Sequence, residues 1–536
     1  MRSLLGQKIM NAVSIAREAH ERDVPVDQVI QERMEKSISR RAFLKGTAMV
    51  AAATASTSMF WNLGAAVAKA DSEFSNKNKI VVVGAGLAGL TVAYRLKQKG
   101  IIADVYEAAK RVGGRCYTRR DDFADGQIAE HGGELIDTEH TQIRNLAAEL
   151  GLKLDDTYKG EQNGTEDMCY INQAPYTFQE MTEDFKQIWP IIQKDATDAG
   201  DVTYQNYTKR AWELDQMSIA DWIKKNVPGG LQSRMGQLLN LSFTADGAAE
   251  IEEQSALYLI FTLASCPSAD EFSVTGSSDE RYHVRGGNDQ IATRMADLLS
   301  GQIQTEHELV AIKRETDGTY LLTFQNKSIT KEVKADQVVL ALPFSILRSS
   351  VDFNRAGFSK LKVKAIREMG FGACSKLNVQ FKDRYWRKQG QTGAVLEVDF
   401  QTSWEVTRSQ NGKPGILVNY TGGEYAKTFG ESTTEQLTQR FLGQLEPNMP
   451  GAKEKWNGIA TVDNWYGYKW TKGSFSYYGV GQYTSFYGVQ AEQEGNCFFV
   501  GEHTALKYYG FLNGAVESAE RAVQQILASQ KAVANY

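Results

Sequence analysis

Apolar residues along this chain follow two patterns that predict different elements. Short continuous runs of β-branched and aliphatic residues, at 79–83, 102–106 and 336–343, predict buried strands, and Pro343 ends the third run. Between the first two runs, residues 90–99 repeat apolar positions at helical spacing. The order strand, helix, strand indicates an α/β unit that begins near residue 80.

The remaining segments predict a second, mixed architecture. Residues 135–280 have a mostly helical pattern with polar faces. β-Branched and aromatic content predicts further strands at 303–312, 375–381, 395–398 and 416–420. Helical patterns occupy 289–299, 424–445 and 514–529. The fold class predicted from these patterns is α/β plus α+β.

The N-terminal segment has the pattern of a targeting signal. Residues 39–45 read Ser-Arg-Arg-Ala-Phe-Leu-Lys, 46–59 are mostly small residues, and Ala-Lys-Ala at 68–70 offers a cleavage site before Asp71. A membrane anchor or a chance Arg-Arg pair are the alternatives, but the stretch is less apolar than a spanning helix requires. The sequence predicts export of a folded protein by the twin-arginine route, to the periplasm or the medium. Residues 1–38 are polar and helix-prone, and their role stays open.

Composition and charge narrow the function classes. The chain has 536 residues, 42% hydrophobic and 23% charged, which is typical of a globular protein. A formal charge of −5 without a basic cluster predicts no nucleic-acid partner. Five cysteines lie far apart, and neither CxxC nor HExxH occurs. We therefore expect neither a disulfide framework nor a metal site.

A glycine-rich turn joins the first strand to the first helix. Gly84 allows a tight turn, Gly86 lets the backbone approach a pyrophosphate, and Gly89 permits close packing of helix on strand. The N-terminus of the helix offers free N–H groups to the phosphates. Glu107 ends the next strand, where a carboxylate binds ribose hydroxyls and repels the 2′-phosphate of NADP. These features predict a dinucleotide-binding site.

The following motif indicates which dinucleotide. Residues 111–115, Arg-Val-Gly-Gly-Arg, combine two glycines that allow close approach to a ligand with two arginines suited to a phosphate or a carbonyl. A solvated basic loop is the alternative, and it would not need paired glycines. Here the chain resembles the flavin amine oxidase family, which includes monoamine oxidases, polyamine oxidases and L-amino-acid oxidases. The resemblance rests on residues 107–115, 130–133, 499–504 and 510–518.

The resemblance implies a Rossmann-like FAD-binding domain interleaved with a substrate domain, which has a mixed sheet and a helical part. We expect an N-terminal extension and signal at 1–70. The expected FAD-binding domain comprises 71–134, 281–345 and 455–536. The helical part of the substrate domain is expected at 135–280, and its sheet part at 346–454.

The same resemblance assigns residues to the cofactor. Arg115, Gly133 and Glu502 would contact FAD, with Glu502 holding a ribityl or ribose hydroxyl. Monoamine oxidases carry a cysteine, bonded covalently to the flavin, at the position of Ser474. Serine cannot form that thioether, so we expect non-covalent FAD.

Three further residues are implied in catalysis and substrate binding. Lys376 matches a lysine of monoamine oxidases that holds a water against the flavin and would assist reoxidation by dioxygen. An exposed lysine on the outer face of a strand is the alternative. Phe475 and Phe511 match the two rings that enclose the substrate amine, although clustered aromatic residues more often form core packing.

The substrate is less well specified. Eukaryotic L-amino-acid oxidases have a carboxylate-binding arginine at the position of Leu135, and this departure puts that mode of recognition in doubt. Asp137 lies where polyamine oxidases place an acid and could pair with a substrate ammonium. Loop solvation is the alternative for both Glu134 and Asp137. Among small-molecule substrates we favour L-amino acids over amines or polyamines, by analogy with exported bacterial members. The expected reaction is oxidative deamination to 2-oxo acids, ammonia and hydrogen peroxide.

Two other classes stay open from sequence. A flavin desaturase acting on C–C bonds would need neither Lys376 nor the aromatic pair, and a non-catalytic flavoprotein would bind FAD that no amine reduces. A monooxygenase outcome, or an acceptor other than dioxygen, also stays open. The sequence predicts no stable membrane span and does not decide between a monomer and a homodimer.

Overall fold

The computed structural model of the protein describes residues 78–534. The predicted twin-arginine signal and the segment 1–38 lie outside the described residues. The helices are α1 Leu87–Lys97, α2 Thr141–Glu149, α3 Phe178–Ala199, α4 Lys209–Asp215, α5 Ile219–Asn226, α6 Arg234–Gly247, α7 Ala256–Ala264, α8 Asp289–Leu298, α9 Phe344–Ser350, α10 Lys360–Glu368, α11 Gly423–Lys427, α12 Thr434–Leu445, α13 Ala452–Lys455, α14 Gln482–Phe486 and α15 Leu512–Ala534.

The strands follow in the same numbering. They are β1 Ile80–Val83, β2 Ala103–Tyr106, β3 Thr118–Arg119, β4 Ala129–Glu130, β5 Leu154–Asp156, β6 Glu166–Ile171, β7 Ala174–Pro175, β8 Tyr282–Val284, β9 Ile303–Gln304, β10 Glu308–Arg314, β11 Tyr320–Asn326, β12 Ile329–Ala335, β13 Gln337–Leu340, β14 Asp352–Arg355, β15 Gly370–Phe371, β16 Cys374–Phe381, β17 Gln391–Glu397, β18 Gln401–Glu405, β19 Gly415–Gly422, β20 Trp456–Asn464, β21 Ser476–Tyr477 and β22 Cys497–Phe499.

A five-stranded parallel sheet has the order β22-β13-β1-β2-β9. Its strands come from widely separated parts of the chain. One face packs against α1, α8 and α15, and the other shares a core with the sheet β12-β11-β10-β14, where Tyr106 stacks on Phe324 at 4.3 Å between ring centroids. Both faces are covered, as the continuous apolar runs predict for parallel strands.

A seven-stranded mixed sheet has the order β20-β16-β19-β18-β17-β6-β7. The period of two along β16 points Leu377 and Val379 toward α12, in a core with Phe441. Lys376 and Asn378 therefore lie on the opposite face. This face of β16 carries polar side chains, and the strand is buried along its whole length.

Two predicted elements divide in the structure. The run 303–312 forms β9 in the parallel sheet and β10 in the four-stranded sheet, because Glu306 has a φ of +60° that interrupts the strand. The pattern 424–445 forms α11, a 3₁₀ turn and α12, because Thr433 caps a new helix in a reciprocal pair with Gln436.

The seven-stranded sheet also recruits strands from outside the range 346–454 expected for it. β6 comes from the segment 135–280, which is otherwise mostly helical, and pairs with β17. β20 comes from the segment 455–536, expected in the FAD-binding domain, and pairs with β16.

Candidate active site

The glycine-rich turn has the geometry that a dinucleotide requires. Gly84 has a φ of +102°, and a Cβ atom there would lie 2.8 Å from the Ala341 carbonyl oxygen. A Cβ atom on Gly89 would lie 2.0 Å from the Gly84 carbonyl oxygen, so helix and turn are in direct contact. Gly86 differs, because the nearest atom to its Cβ position is the Gly114 Cα atom at 4.0 Å. Gly86 is also the N-cap of α1, and no side chain caps that helix. Open space above an uncapped helix N-terminus fits a pyrophosphate.

Glu107 lies directly beside this turn. Its two carboxylate oxygens accept hydrogen bonds from the backbone N–H groups of Ala85 (2.7 Å) and Ala109 (2.8 Å). Burial raises the pKa of Glu107, against the lowering effect of these hydrogen bonds. The carboxylate is thus anchored at the end of β2, where a ribose binds in folds of this type.

Arg115 and Glu502 form one hydrogen-bonded network. The guanidinium of Arg115 donates to the Glu502 carboxylate (2.8 Å) and to the Ser474 carbonyl oxygen (2.6 Å). Glu502 also accepts from the Ser476 hydroxyl (2.8 Å) and the Gly510 N–H (2.7 Å). Although burial alone raises the pKa of Glu502, the arginine lowers it overall, so the carboxylate stays ionised. The pair joins three distant segments in which the sequence places cofactor and substrate residues.

The paired glycines at 132–133 allow close backbone packing. A Cβ atom on Gly132 would lie 1.8 Å from the Arg115 carbonyl oxygen, and one on Gly133 would lie 2.7 Å from the side chain of Leu512. Packing within the protein thus requires glycine at both positions. A contact of Gly133 with FAD stays a prediction.

Lys376 is buried, with 4% of its surface exposed. Its Nζ atom donates to the Glu134 carboxylate (2.8 Å) and to the carbonyl oxygens of Glu130 (3.1 Å) and Gly132 (3.0 Å). The alternatives of an exposed lysine and of a loop-solvated Glu134 are both wrong, because the two residues form a buried ion pair. Burial acts to lower the pKa of Lys376, but the charge and hydrogen bond of Glu134, with smaller contributions from Cys374 and Glu130, together raise it.

Phe475 and Phe511 are half-buried, and Phe511 follows Gly510 in the chain. A Cβ atom on Gly510 would lie 3.8 Å from the Phe475 ring. Phe511 packs edge-on against His140, with ring centroids 5.0 Å apart. Burial, followed by the nearby positive charges, lowers the pKa of His140 to about 4, so the imidazole is neutral at neutral pH.

Asp137 is also buried rather than solvated. It accepts the backbone N–H of Glu280 (3.0 Å), and one of its oxygens lies 3.5 Å from Nε2 of His140. Burial raises the pKa of Asp137 to about 6. Asp137 is therefore joined to the ring of Phe511 through His140, so two predicted substrate residues lie in one cluster.

Two acids in this region were not identified from the sequence. The side chains of Asp246 and Glu280 are exposed. Desolvation by the surrounding protein nevertheless raises the pKa of Asp246. It also raises the pKa of Glu280 to about 8, together with the charges of Asp137 and Asp246. The raised pKa values indicate that protein atoms surround both exposed carboxyl groups and reduce their hydration. Asp246 accepts a hydrogen bond from Tyr258, whose ring lies 6.5 Å from that of Tyr509. We call Asp137, Asp246 and Glu280 the acidic wall.

Sequence reasoning missed Asp246 and Glu280 for an identifiable reason. Asp246 lies near the end of α6, and Glu280 lies in a loop with a φ of +42°. Neither belongs to a motif, and they are 34 positions apart in the sequence. Glu280 follows directly after Asp279, a pair that resembles any solvated acidic loop.

A cavity of about 620 Å³ opens beside the lysine site. Its lining includes Glu134, Leu135, His283, Arg285 and Arg408. The two arginines are engaged, Arg285 by Asp155 and Arg408 by Glu161. Among the described residues, no helix is long and apolar enough to cross a membrane.

Comparison with known proteins identifies the family. A family model described as "Flavin containing amine oxidoreductase" matches residues 87–527. Amine oxidase [flavin-containing] A of Sus scrofa is 26% identical over 467 residues, covering 84% of each chain. Amine oxidase [flavin-containing] B of Homo sapiens is 26% identical over 479 residues, covering 84% of this chain and 86% of the relative.

Solved structures share the fold. Putrescine oxidase bound to putrescine superposes with a TM-score of 0.72 at 22% identity, over 84% of this chain and 99% of that one. Cyclohexylamine oxidase from Brevibacterium oxydans IH-35A has a TM-score of 0.74 at 19% identity, over 85% of this chain and all of that one. The predicted fold class, α/β plus α+β with a Rossmann-like domain interleaved with a substrate domain, is therefore confirmed. The chain belongs to the flavin-containing amine oxidoreductase family.

Proposed function

We propose that this protein is an FAD-dependent oxidase of small cationic amines, with diamines or polyamines as the favoured class. FAD is the cofactor of the family. When bound, it accepts two electrons and a hydrogen from the carbon next to the nitrogen of a neutral amine, and water hydrolyses the resulting imine to a carbonyl compound and ammonia or a shorter amine. Dioxygen is the proposed electron acceptor and would be reduced to hydrogen peroxide.

The acidic wall is the observation that carries this proposal. Three carboxyl groups with raised pKa values favour a positively charged ligand, because the ligand would stabilise their ionised forms where hydration is reduced. The neutral His140 adds no repulsive charge. Phe475 and Phe511 would exclude water and present a ring face to the amine.

Glu280 is suited to exchange a proton with the substrate. A substrate ammonium must become a neutral amine before its carbon can be oxidised, and a carboxyl group with a pKa of about 8 exchanges protons near neutral pH. A distal ammonium that stays charged would instead pair with Asp246 and stabilise the ionised form of its carboxyl group. The wall thus has chemistry for both ends of a diamine.

L-Amino acids, which the sequence analysis favoured, are the second candidate. Arg408 lines the same cavity as Leu135, the position at which the related oxidases carry their carboxylate-binding arginine. Arg408 is already paired with Glu161 at 2.9 Å, so a substrate carboxylate would have to compete with that pair. We therefore rank amines first.

The test is anaerobic bleaching of the flavin by a panel of monoamines, diamines, polyamines and L-amino acids. We expect 1,4-diaminobutane or a longer polyamine to reduce the flavin fastest. E280Q and D246N should lower the preference for a diamine over a monoamine by about tenfold, the effect of one weakened charge pair. D279N is the matched control, since the Asp279 carboxylate binds Thr138 instead.

Two results would contradict the proposal. Rapid bleaching by L-amino acids alone would establish the second candidate. A flavin that stays oxidised with the entire panel would favour a desaturase or a non-catalytic flavoprotein.

We further propose that the protein is exported by the twin-arginine route to the periplasm or the medium. The Arg-Arg pair at 40–41 and the small-residue segment after it support this proposal. Replacing both arginines by lysine should retain the protein in the cytoplasm, and continued export of the variant would refute it.

A further inference from the structure

All three N–H donors of Lys376 are used by protein acceptors. They bind the carbonyl oxygens of Glu130 and Gly132 and the Glu134 carboxylate, at 2.8–3.1 Å. An ammonium has three donors and no acceptor, so this arrangement leaves none for a water molecule. This differs from the water-holding role that the family resemblance implies.

Glu134 supplies the negative charge at this site and is itself held at both oxygens. One oxygen accepts from Lys376, and the other accepts from Nε1 of Trp404 at 3.0 Å. Trp404 lies on β18 and packs against Tyr420 of β19, with ring centroids 5.4 Å apart. Tyr420 lies opposite Lys376 in the register of β16 and β19. The Glu134 carboxylate therefore ties the backbone segment after Gly133 to the sheet that carries the lysine.

We propose that Glu134 is a positioning residue that holds Lys376 as a fixed ammonium beside the candidate flavin site. The inference rests on the proposed function in one respect, which is that the chain binds FAD. In this role Lys376 acts as a buried positive charge. Such a charge stabilises the negative charge that develops when electrons pass to dioxygen, without any reorganisation of water.

The charges around Lys376 explain why Glu134 matters most. Burial acts to lower the pKa of Lys376, and Glu134 provides the largest opposing effect, followed by Cys374 and Glu130. The side chain of Glu130 is turned toward His283, with which it forms a 2.8 Å contact.

The neighbouring strand contributes one further acid. Asp463 lies opposite Lys376 on β20, but its carboxylate is 2.6 Å from Nδ1 of His131. Burial strongly disfavours ionisation of Tyr420, whose pKa is raised well above its ordinary value. Without the Glu134 charge, Lys376 would remain a buried ammonium without a carboxylate partner, and its pKa would fall.

The experiment measures reoxidation without any amine substrate. FAD-loaded wild type and E134Q are reduced with dithionite and mixed with dioxygen in a stopped-flow instrument from neutral to alkaline pH. We expect a pH-independent rate for the wild type. E134Q should lose rate on the order of 100-fold as pH rises, comparable to removing one charge-stabilising donor, with a break that marks deprotonation of Lys376.

W404F is the matched control, because it removes a neutral hydrogen bond to Glu134 and keeps both charges. It should retain the wild-type pH profile. E134D retains the carboxylate and should restore most of the rate. If E134Q does not fold, E134D carries the test. The break in its rate profile should lie at a higher pH than that of a Lys376 without a charged partner, because aspartate keeps the negative charge.

A second readout requires no flavin. In the apoprotein, an amine-reactive reagent followed by peptide mass spectrometry should label Lys376 at lower pH in E134Q or E134D than in the wild type. Wild-type reoxidation and labelling profiles in E134Q, or in E134D if E134Q does not fold, would overturn the proposal. Because dithionite reduces the flavin directly, a protein that no amine reduces would refute the proposed function and leave this test intact.

Discussion

Replacing Gly86 by alanine separates cofactor binding from folding. The backbone at Gly86 has φ −71° and ψ 177°, which alanine adopts without strain. The added Cβ would meet no protein atom closer than 4.0 Å. It would occupy the space above the N-terminus of α1, where the pyrophosphate of FAD is expected.

The two effects have opposite signs. Alanine restricts the unfolded chain more than glycine, so the apoprotein should gain about 0.5 kcal/mol of stability. FAD binding should weaken by about 2 kcal/mol, or roughly 30-fold, because a displaced phosphate loses one charge-assisted hydrogen bond to the helix N-terminus.

Gly89 provides the contrasting variant. A Cβ atom at this position would lie 2.0 Å from the Gly84 carbonyl oxygen and 3.1 Å from the Ala341 Cβ atom. The turn and α1 must separate to relieve this overlap, at a cost of about 3 kcal/mol. G89A should therefore lose stability and FAD affinity together.

The assay combines chemical unfolding of the flavin-free protein with titration of FAD, followed by flavin fluorescence. We expect G86A to unfold at slightly higher denaturant than the wild type and to bind FAD more weakly. If G86A binds FAD with wild-type affinity, the pyrophosphate does not lie over Gly86. If G86A destabilises the apoprotein, the space above Gly86 is filled by protein atoms and is not open to a ligand.

Further predictions concern the linkage, the aromatic pair and the acidic wall. Acid precipitation should release all FAD into the supernatant, because serine cannot form a thioether and the Ser474 hydroxyl donates to the Gly372 carbonyl oxygen (2.9 Å). Flavin that stays with the pellet would refute the prediction of non-covalent FAD. F475A and F511A should each lower kcat/KM for the best amine by about tenfold or more, the effect of losing an aromatic contact to a cation, with unchanged FAD content. An unchanged kcat/KM would show that the two rings do not contact the substrate. Since the pKa of Glu280 is raised from 4.5 to about 8 in the folded protein, the folded state binds more protons than the unfolded state between these values. The free energy of unfolding should therefore fall as pH rises through this window, and E280Q should flatten that dependence in denaturant titrations of the apoprotein.

Several features follow from the sequence because they are local. One continuous stretch contains the run at 79–83, the three glycines after it and Glu107. Each of these features meets a requirement of a nucleotide-binding strand–turn–helix unit. The FAD cofactor and the fold class could therefore be predicted from this stretch and the matching C-terminal motifs. The sequence alone also shows that position 474 is a serine and not a cysteine, which excludes a thioether to the flavin at this position.

The partners of Lys376 required the tertiary structure. Period-two alternation along β16 predicts on which face Lys376 lies, but not that this face packs on the segment that carries Glu134, 242 positions earlier. A glutamate in a loop has no periodicity that separates a buried ion pair from a solvated side chain. The same ambiguity hid the burial of Asp137.

The acidic wall shows that substrate recognition, too, depends partly on the sequence and partly on the tertiary structure. The sequence alone determined a flavin-binding Rossmann-like fold, because local backbone geometry and nucleotide chemistry restrict residue type at fixed spacing. Only the tertiary structure placed Asp246 and Glu280 beside Asp137, because long-range packing of α6 and the loop before β8 brings them together. Charge acts through space and not along the chain, so the substrate preference depends on distances that no linear pattern encodes.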